Sequence, residues 1–154
     1  MDAIDKKILE ELQKNSSIPL SELSKKVGLS NTPCWNRIKK LEEDKVVLSK
    51  TVVLDHKKIN LPITVFLSIS IQNHTEKWLT NFKNVVKKYD EIIEVHRLTG
   101  NNSDYQITIL SPSIVEYDKF QQNLIKEIEC TYMSSHISLQ VIKKNHKLPL
   151  TFVN

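Results

Sequence analysis

Two different spacings of hydrophobic residues divide the chain. Up to about residue 45, apolar positions recur every three or four residues, which is typical of helices that bury one face. From Ile63 onward, apolar and polar positions alternate in short runs, which is typical of strands with one buried face. The pattern predicts an α+β protein, with a helical domain and linker over residues 1–61 and a sheet-containing domain over residues 62–154.

The first domain is predicted to contain three helices. Their expected ranges are Asp2 to about Lys14, about Leu20 to Val27, and a third helix from Ser30–Thr32 to about Asp44. Pro19 is compatible with a helix that begins directly after it, and Gly28 suits the left-handed residue that commonly follows a helix. Val46 to Asp55 is mostly apolar and β-branched, so we expect a short strand there, with a linker ending near Leu61.

The third helix is predicted to have a buried stripe and an exposed polar face. Cys34, Ile38 and Leu41 fall at positions i, i+4 and i+7, so they are expected to face the core. A turn of about 100° per residue then directs four side chains away from the core: Thr32, Asn36, Lys39 and Glu43.

Basic residues concentrate around this helix. From Lys25 to Lys40 the chain has five Lys or Arg residues and no Asp or Glu. Arg37 and Lys40 flank the outward face on one side, and Trp35 flanks it on the other. A short helix, a tight turn and an exposed basic helix together indicate a helix-turn-helix whose second helix enters the major groove of DNA.

The second domain is predicted to have the order β-α-β-β-α-β, the ferredoxin-like arrangement. The expected strands are Ile63 to Gln72, Ile92 to Leu98, Tyr105 to Ile109, and Ile137 to Val141. The expected helices are about Glu76 to Lys88 and one that starts at Pro112 and continues to about Ile128. Two helices cover only one face of such a sheet, so Phe66 on the other face favours a dimer. A solvated antiparallel sheet face is the alternative.

Composition narrows the class of protein. The net charge is +4, and residues 1–61 carry twelve Lys or Arg against nine Asp or Glu, so the basic excess lies mainly in the helical domain. Cys34 and Cys130 are the only cysteines and have no ligand spacing with any histidine, so we expect reduced thiols, no metal site and no cofactor. No signal peptide and no membrane span are expected, which favours a cytoplasmic protein.

The chain resembles the Lrp/AsnC (feast/famine) family of transcription regulators over nearly its whole length. The segments that carry the resemblance are IDKKILEELQKN, LSELSKKVGLSNTPCWNRIKKLEEDKVV, Leu54-Asp55, TGNNSDY and the terminal LPL. The recognition-helix segment is the most specific of them. Three positions depart from the family pattern: Lys45 stands where Gly is usual, Asn36 stands where a second Arg is frequent, and the Gly100–Tyr105 loop is one residue longer.

The resemblance implies an N-terminal winged helix-turn-helix, a C-terminal ferredoxin-like βαββαβ domain and no catalytic activity. It also implies double-stranded DNA as a partner, dimers that assemble as an octamer of four dimers, and an amino acid or other small effector bound between dimers. Residues expected to bind the effector are Gly100, Asn102, Asp104 and Tyr105.

The candidate DNA contacts combine the charge pattern with this resemblance. They are Lys25, Lys26, Ser30, Asn31, Thr32, Trp35, Asn36, Arg37, Lys39, Lys40 and Lys50. Thr32, Asn36 and Arg37 are the expected base readers, and an Asn amide can pair with adenine. Two alternatives stay open: an architectural DNA-binding protein that needs no effector, and an enzyme resembling the tetrapyrrole decarboxylases of the same family.

Overall fold

The computed structural model describes residues 1–100 and 103–153, which form two compact units. The helical unit comprises Met1–Val53 together with the residues from Ile142 onward, and the sheet unit comprises Leu54–Val141. The α+β architecture is confirmed. The packing differs from the expected division at residues 61 and 62, because the linker belongs to the sheet unit and the last residues belong to the helical unit.

The helical unit contains the three expected helices. They are α1 (Ala3–Lys14), α2 (Leu20–Val27) and α3 (Asn31–Glu43). Their buried faces form one core, made by Ile8, Leu9, Leu23, Val27, Cys34 and Leu41. Asp2 caps α1 as its side chain accepts hydrogen bonds from the amides of Ile4 and Asp5, each at 2.9 Å. Ser30 holds the N-cap position of α3.

The C-terminal segment packs against α1. The amide of Leu148 donates to the side-chain oxygen of Gln13 at 2.5 Å, and the Gln13 side-chain nitrogen donates to the Leu148 carbonyl at 3.2 Å. Lys6 bonds the carbonyl of Val153, and Leu150 packs against the helical core. These contacts explain why the last residues join the helical unit.

The strand expected between Val46 and Asp55 is absent, so that prediction was wrong. The amides of Val46 and Val47 both donate to the carbonyl of Leu41, at 2.9 and 3.0 Å, which places them in the turn that ends α3. Within the described residues, the chain from there to Asp55 pairs with no strand. β-branched residues favour extended backbone, but a strand also needs a partner for its ladder.

The sheet unit has the predicted β-α-β-β-α-β order. Its elements are β1 (Ile63–Ser70), α4 (Glu76–Val86), β2 (Ile92–Arg97), β3 (Tyr105–Ser111), α5 (Ile114–Glu127) and β4 (Tyr132–Ile137). The four strands form one antiparallel sheet in the order β2-β3-β1-β4. One face is buried under the two helices through the alternate residues Val65, Leu67, Ile69, Tyr105, Ile107 and Ile109.

Most ends of these elements lie within two residues of expectation, and two differences have a physical cause in the side-chain contacts. The helix α5 starts at Ile114 rather than at Pro112, because Ser113 caps it through a bond from the amide of Glu116 at 3.1 Å. The fourth strand was expected at Ile137 to Val141, but β4 ends at Ile137 and Leu139 is 97% exposed. The polar residues of β4 hid this strand from the hydrophobic pattern. One of them, Ser135, faces α5, and its hydroxyl lies 2.6 Å from that of Tyr117.

Candidate nucleic-acid interface

The buried stripe of α3 fixes which way the helix faces. Cys34 is fully buried and Leu41 nearly so, while Ile38 packs partly exposed against the same core. Burial raises the pKa of the Cys34 thiol, so the group stays neutral and acts as a small hydrophobic residue. The predicted stripe is confirmed, and the opposite side of α3 faces outward.

The outward side of α3 is polar and accessible. Its predicted members, Thr32, Asn36, Lys39 and Glu43, are all exposed. Trp35 is 50% exposed, and the Lys39 ammonium lies 5.3 Å from the centre of its indole ring. This distance suits a cation–π contact. The face thus combines hydrogen-bonding side chains with an aromatic ring and a cation.

The turn between α2 and α3 is held by backbone and side-chain bonds. Gly28 has a φ of 74°, and its amide donates to the Lys25 carbonyl. The next amide, that of Leu29, donates to the backbone carbonyl of Ser24. This pair of bonds is the Schellman motif, for which a left-handed residue is needed. The Ser24 hydroxyl, which is buried, donates to the side-chain carbonyl of Asn31 at 2.8 Å. The start of α3 is therefore tied to α2.

The same motif ends α3, but with a lysine in the left-handed position. Lys45 has a φ of 58°, and its amide donates to the Glu42 carbonyl at 3.1 Å. The amide of Val46 closes the motif by donating to Leu41. Lys45 is the position at which the sequence departs from the glycine usual in the family.

The basic side chains near α3 differ in whether they form ion pairs with acidic residues. Among the described residues, Lys25 and Lys40 form no ion pair, so their ammonium groups are available to phosphate. Three other lysines each lie near a carboxylate: Lys26 near Glu11 and Glu22, Lys39 near Glu43, and Lys50 near Glu42. Apart from the half-buried Glu11, these carboxylates are exposed, and such pairs exchange partners at little energetic cost.

Arg37 is the most strongly paired cation of the set. One of its terminal nitrogens lies 2.6 Å from a carboxylate oxygen of Asp2 and 2.8 Å from one of Asp5. The Asp5 and Asp2 carboxylates raise the pKa of Arg37. The Asp5 backbone amide and the Arg37 guanidinium in turn hold the pKa of Asp2 below its usual value. The sequence patterns singled out Arg37 but not its two partners on the first turn of α1.

The loop before β3, expected to bind an effector, is anchored through Asp104. Its carboxylate accepts a bond from the Ile71 amide at 2.8 Å and lies 3.0 Å from the His74 ring nitrogen. The Ile71 amide lowers the pKa of Asp104, with a smaller contribution from His74 and against the effect of burial. Sequence reasoning missed His74, which has no spacing signal that links it to the loop.

The structure also describes Tyr105 and Gly100, two further residues that were expected to bind the effector. Tyr105 is buried, with its ring centre 4.9 Å from that of Phe82 and 5.3 Å from that of Trp78. Its ring is therefore part of the sheet core. Gly100 has a φ of 145°, which favours glycine. Asn102 lies outside the described residues.

In the described part of the chain, no three His, Cys, Asp or Glu side chains come together as a metal site would require. Across residues 1–100 and 103–153, each helix is too short or too polar to cross a membrane.

Comparison with protein families matches both units. Residues 1–47 match a model described as winged helix-turn-helix DNA-binding, and residues 64–148 match the Lrp/AsnC ligand binding domain. The chain belongs to the Lrp/AsnC family of transcription regulators. The matched ranges contain all three helices of the helix-turn-helix and all four strands of the sheet.

Relatives and solved structures support this assignment along the whole length. The chain is 39% identical to a glutamate uptake regulatory protein of Zymomonas mobilis, over 97% of this chain and 91% of that protein. It is 32% identical to the DNA-binding transcriptional activator DecR of Escherichia coli, over 97% and 99%. The crystal structure of an AsnC family transcriptional regulator from Agrobacterium tumefaciens is 41% identical and covers both chains fully, with a TM-score of 0.94.

One similar structure contains an amino acid. It is a complex of a transcriptional regulator from Neisseria meningitidis with L-Met, 30% identical, with a TM-score of 0.91 over 98% of this chain and 97% of that one. This Lrp/AsnC chain is therefore a DNA-binding transcription regulator of a family whose C-terminal domain binds ligands.

Proposed function

We propose that this regulator reads a specific DNA site with the exposed face of α3 and that a small amino acid modulates its binding. The observation that carries the proposal is the division of α3 into a buried apolar stripe and an outward polar face. Such a helix is rigidly held while its side chains remain free to approach base edges. Because DNA is the target, we place its action in the cytoplasm and assign it no catalytic role.

The proposed contacts divide by chemistry. Thr32 and Asn36 lie on the outward face and are positioned for base edges, and the Asn amide matches the major-groove edge of adenine. The ammonium groups without acidic partners, those of Lys25 and Lys40, are proposed to neutralise phosphates. Lys26, Lys39 and Lys50 would exchange their carboxylate partners for phosphates, and Trp35 would pack on the sugar-phosphate backbone. Ser30 and Asn31, at the N-terminus of α3, would approach phosphate through backbone amides.

A salt series tests DNA binding directly. Affinity for a duplex carrying the promoter of the protein's own gene is measured by fluorescence anisotropy at several salt concentrations. Each neutralised phosphate is expected to steepen the fall of log K with log salt by about 0.9. A flat dependence would contradict the proposed phosphate contacts, whichever residues make them.

We further propose a dimer formed through the open sheet face. Phe66 is 36% exposed there and faces Thr108 and His136 on the neighbouring strands. Two recognition helices in a dimer would reach half-sites about 34 Å apart. Assembly of four dimers into an octamer is the further step that the family resemblance implies.

The proposed effector is an amino acid held at the Gly100–Tyr105 loop. The support is the ligand-binding domain match and the L-Met complex of the Neisseria regulator. A thermal-shift screen of the twenty amino acids tests it, since a ligand at a hundred times its Kd stabilises a protein by about 2.7 kcal/mol. We expect a shift with one or a few amino acids and its loss in Asp104→Asn. No shift with any of them would favour the architectural alternative, for which the longer loop is the supporting observation.

A further inference from the structure

Arg37 lies on α3 but bonds the first turn of α1. The nitrogen that contacts both acids, at 2.6 and 2.8 Å, belongs to a side chain that is only one-third exposed. The contact therefore joins the recognition helix to a neighbouring helix through a single charged group.

The two carboxylates also cap α1, and they divide their oxygens between the two tasks. One oxygen of Asp2 accepts from the amides of Ile4 and Asp5, while its other oxygen faces Arg37. One oxygen of Asp5 accepts from the Asp2 amide at 3.0 Å, while its other oxygen faces Arg37. The capping box thus holds both carboxylates in the orientation that receives the guanidinium.

The local charge argues against a phosphate contact at this point. One guanidinium faces two carboxylates, so its positive charge is already compensated within the protein and is not free for a phosphate. Lys40, three residues further along α3, has no ion pair in the described part of the chain and provides the contrast. The two basic residues that flank the same face therefore differ in what they can offer DNA.

We propose that Arg37 is a positioning residue, which holds α3 against α1 through Asp2 and Asp5 and does not itself contact a phosphate or a base. The proposal rests on the proposed DNA reading by α3. It removes one residue from the set of expected base readers and adds two acidic residues of α1 to those that determine specificity.

The test compares three variants: Arg37→Gln, the double variant Asp2→Asn/Asp5→Asn, and the triple variant that combines all three changes. Lys40→Gln is the matched control. Asn retains the capping oxygen while it removes the charge, so α1 keeps its cap. Affinity is measured for a duplex selected from random sequence by the intact protein and for a scrambled duplex, each at several salt concentrations. Circular dichroism at the binding temperature establishes that each variant is folded.

We expect Arg37→Gln and the double Asn variant each to lower affinity for the selected duplex about three- to tenfold, because each removes both of the partly buried ion pairs. Affinity for the scrambled duplex and the salt slope stay unchanged. The triple variant is no weaker than either, because all three residues act through one contact, and Arg37→Lys recovers part of the loss. Lys40→Gln instead reduces the slope by about 0.9. A merely structural role would leave the ratio of selected to scrambled affinity unchanged.

Three results would overturn the inference. A slope reduced by Arg37→Gln as much as by Lys40→Gln would make Arg37 a phosphate contact. Tighter binding by the double Asn variant would mean that the acids compete with DNA for Arg37. Relaxed preference at a single base in Arg37→Gln, with the double Asn variant unchanged, would make Arg37 a base reader. Binding by the intact protein without any salt dependence would instead contradict the proposed function itself.

Discussion

Two residues after helices adopt the same left-handed backbone, although one is glycine and the other lysine. Gly28 follows α2 with a φ of 74°, and Lys45 follows α3 with a φ of 58°. A Cβ built on Gly28 would meet no atom within 4 Å, so the penalty for a side chain there comes from local backbone strain alone. The two positions therefore form a natural pair for comparison.

We expect Gly28→Ala to lower the free energy of unfolding by about 1–2 kcal/mol. Lys45→Gly should raise it by a smaller amount, about 0.5–1 kcal/mol, because glycine loses more backbone entropy on folding. Chemical denaturation followed by circular dichroism measures both. Asn60, with a φ of 64°, is the control, because Asn tolerates this conformation and Asn60→Gly should change stability less. A stabilised Gly28→Ala variant would contradict the strain argument.

The hydroxyl of Tyr89 is a much weaker acid than that of a free tyrosine. Its hydroxyl donates to the Glu127 carboxylate at 2.7 Å, and this bond, with burial and the negative charge, raises the pKa of Tyr89 to about 12. Because this pKa is above the unfolded value of about 10, the contact contributes its full stability below pH 10. The contribution is lost as the pH rises through 12.

Absorbance titration of tyrosinate tests this expectation. Tyr89 should ionise near pH 12, and Tyr89→Phe should remove that component. Burial also raises the pKa of Tyr117, so Tyr117→Phe is measured beside it. Glu127→Gln, which removes the charge but keeps an acceptor oxygen, should lower the pKa of Tyr89. An unchanged titration curve in Tyr89→Phe would show that another group produces the late step.

At the scale of the element, Asn36 is the side chain of α3 whose chemistry is best suited to reading a base. Asn36 is exposed in the middle of the outward face, so Asn36→Ala is expected to relax preference at one base position by about 1–3 kcal/mol. Selection from random duplexes, followed by affinity measurements on single-base variants, gives the result. Glu43→Ala on the same face is the control. Uniform weakening across all duplexes would instead make Asn36 a backbone contact.

The helices were predicted more accurately than the strands. Each helix carries its own hydrogen bonds and its own caps, so the spacing of Cys34 and Leu41 and the glycine after α2 were sufficient to place two of them. A strand depends on its partner. The segment after Val46 found none in the described structure, and β4 pairs with β1 over a polar stretch that has no alternating pattern.

For the whole molecule, the proposed dimer through the open sheet face is open to a direct test. We expect Phe66→Lys to convert dimers to monomers, because a charge on a desolvated dimer interface is unfavourable. Analytical ultracentrifugation gives the mass. Val115→Lys, an exposed apolar residue on α5, is the matched control and should leave the mass unchanged. Equal masses for the intact protein and both variants would contradict the sheet-face dimer.

The order of elements, the buried stripe of α3, the basic character of its surroundings and the family can all be inferred from the amino-acid sequence. These follow from local spacing and from residue types at fixed positions, which helices and alternating strands express directly. Tertiary structure alone decided that Asp2 and Asp5 bind Arg37, that His74 contacts Asp104 and that the C-terminal segment packs on α1. These contacts join residues distant in sequence, and the distance between two side chains on separate elements depends on how those elements pack, which no periodicity encodes.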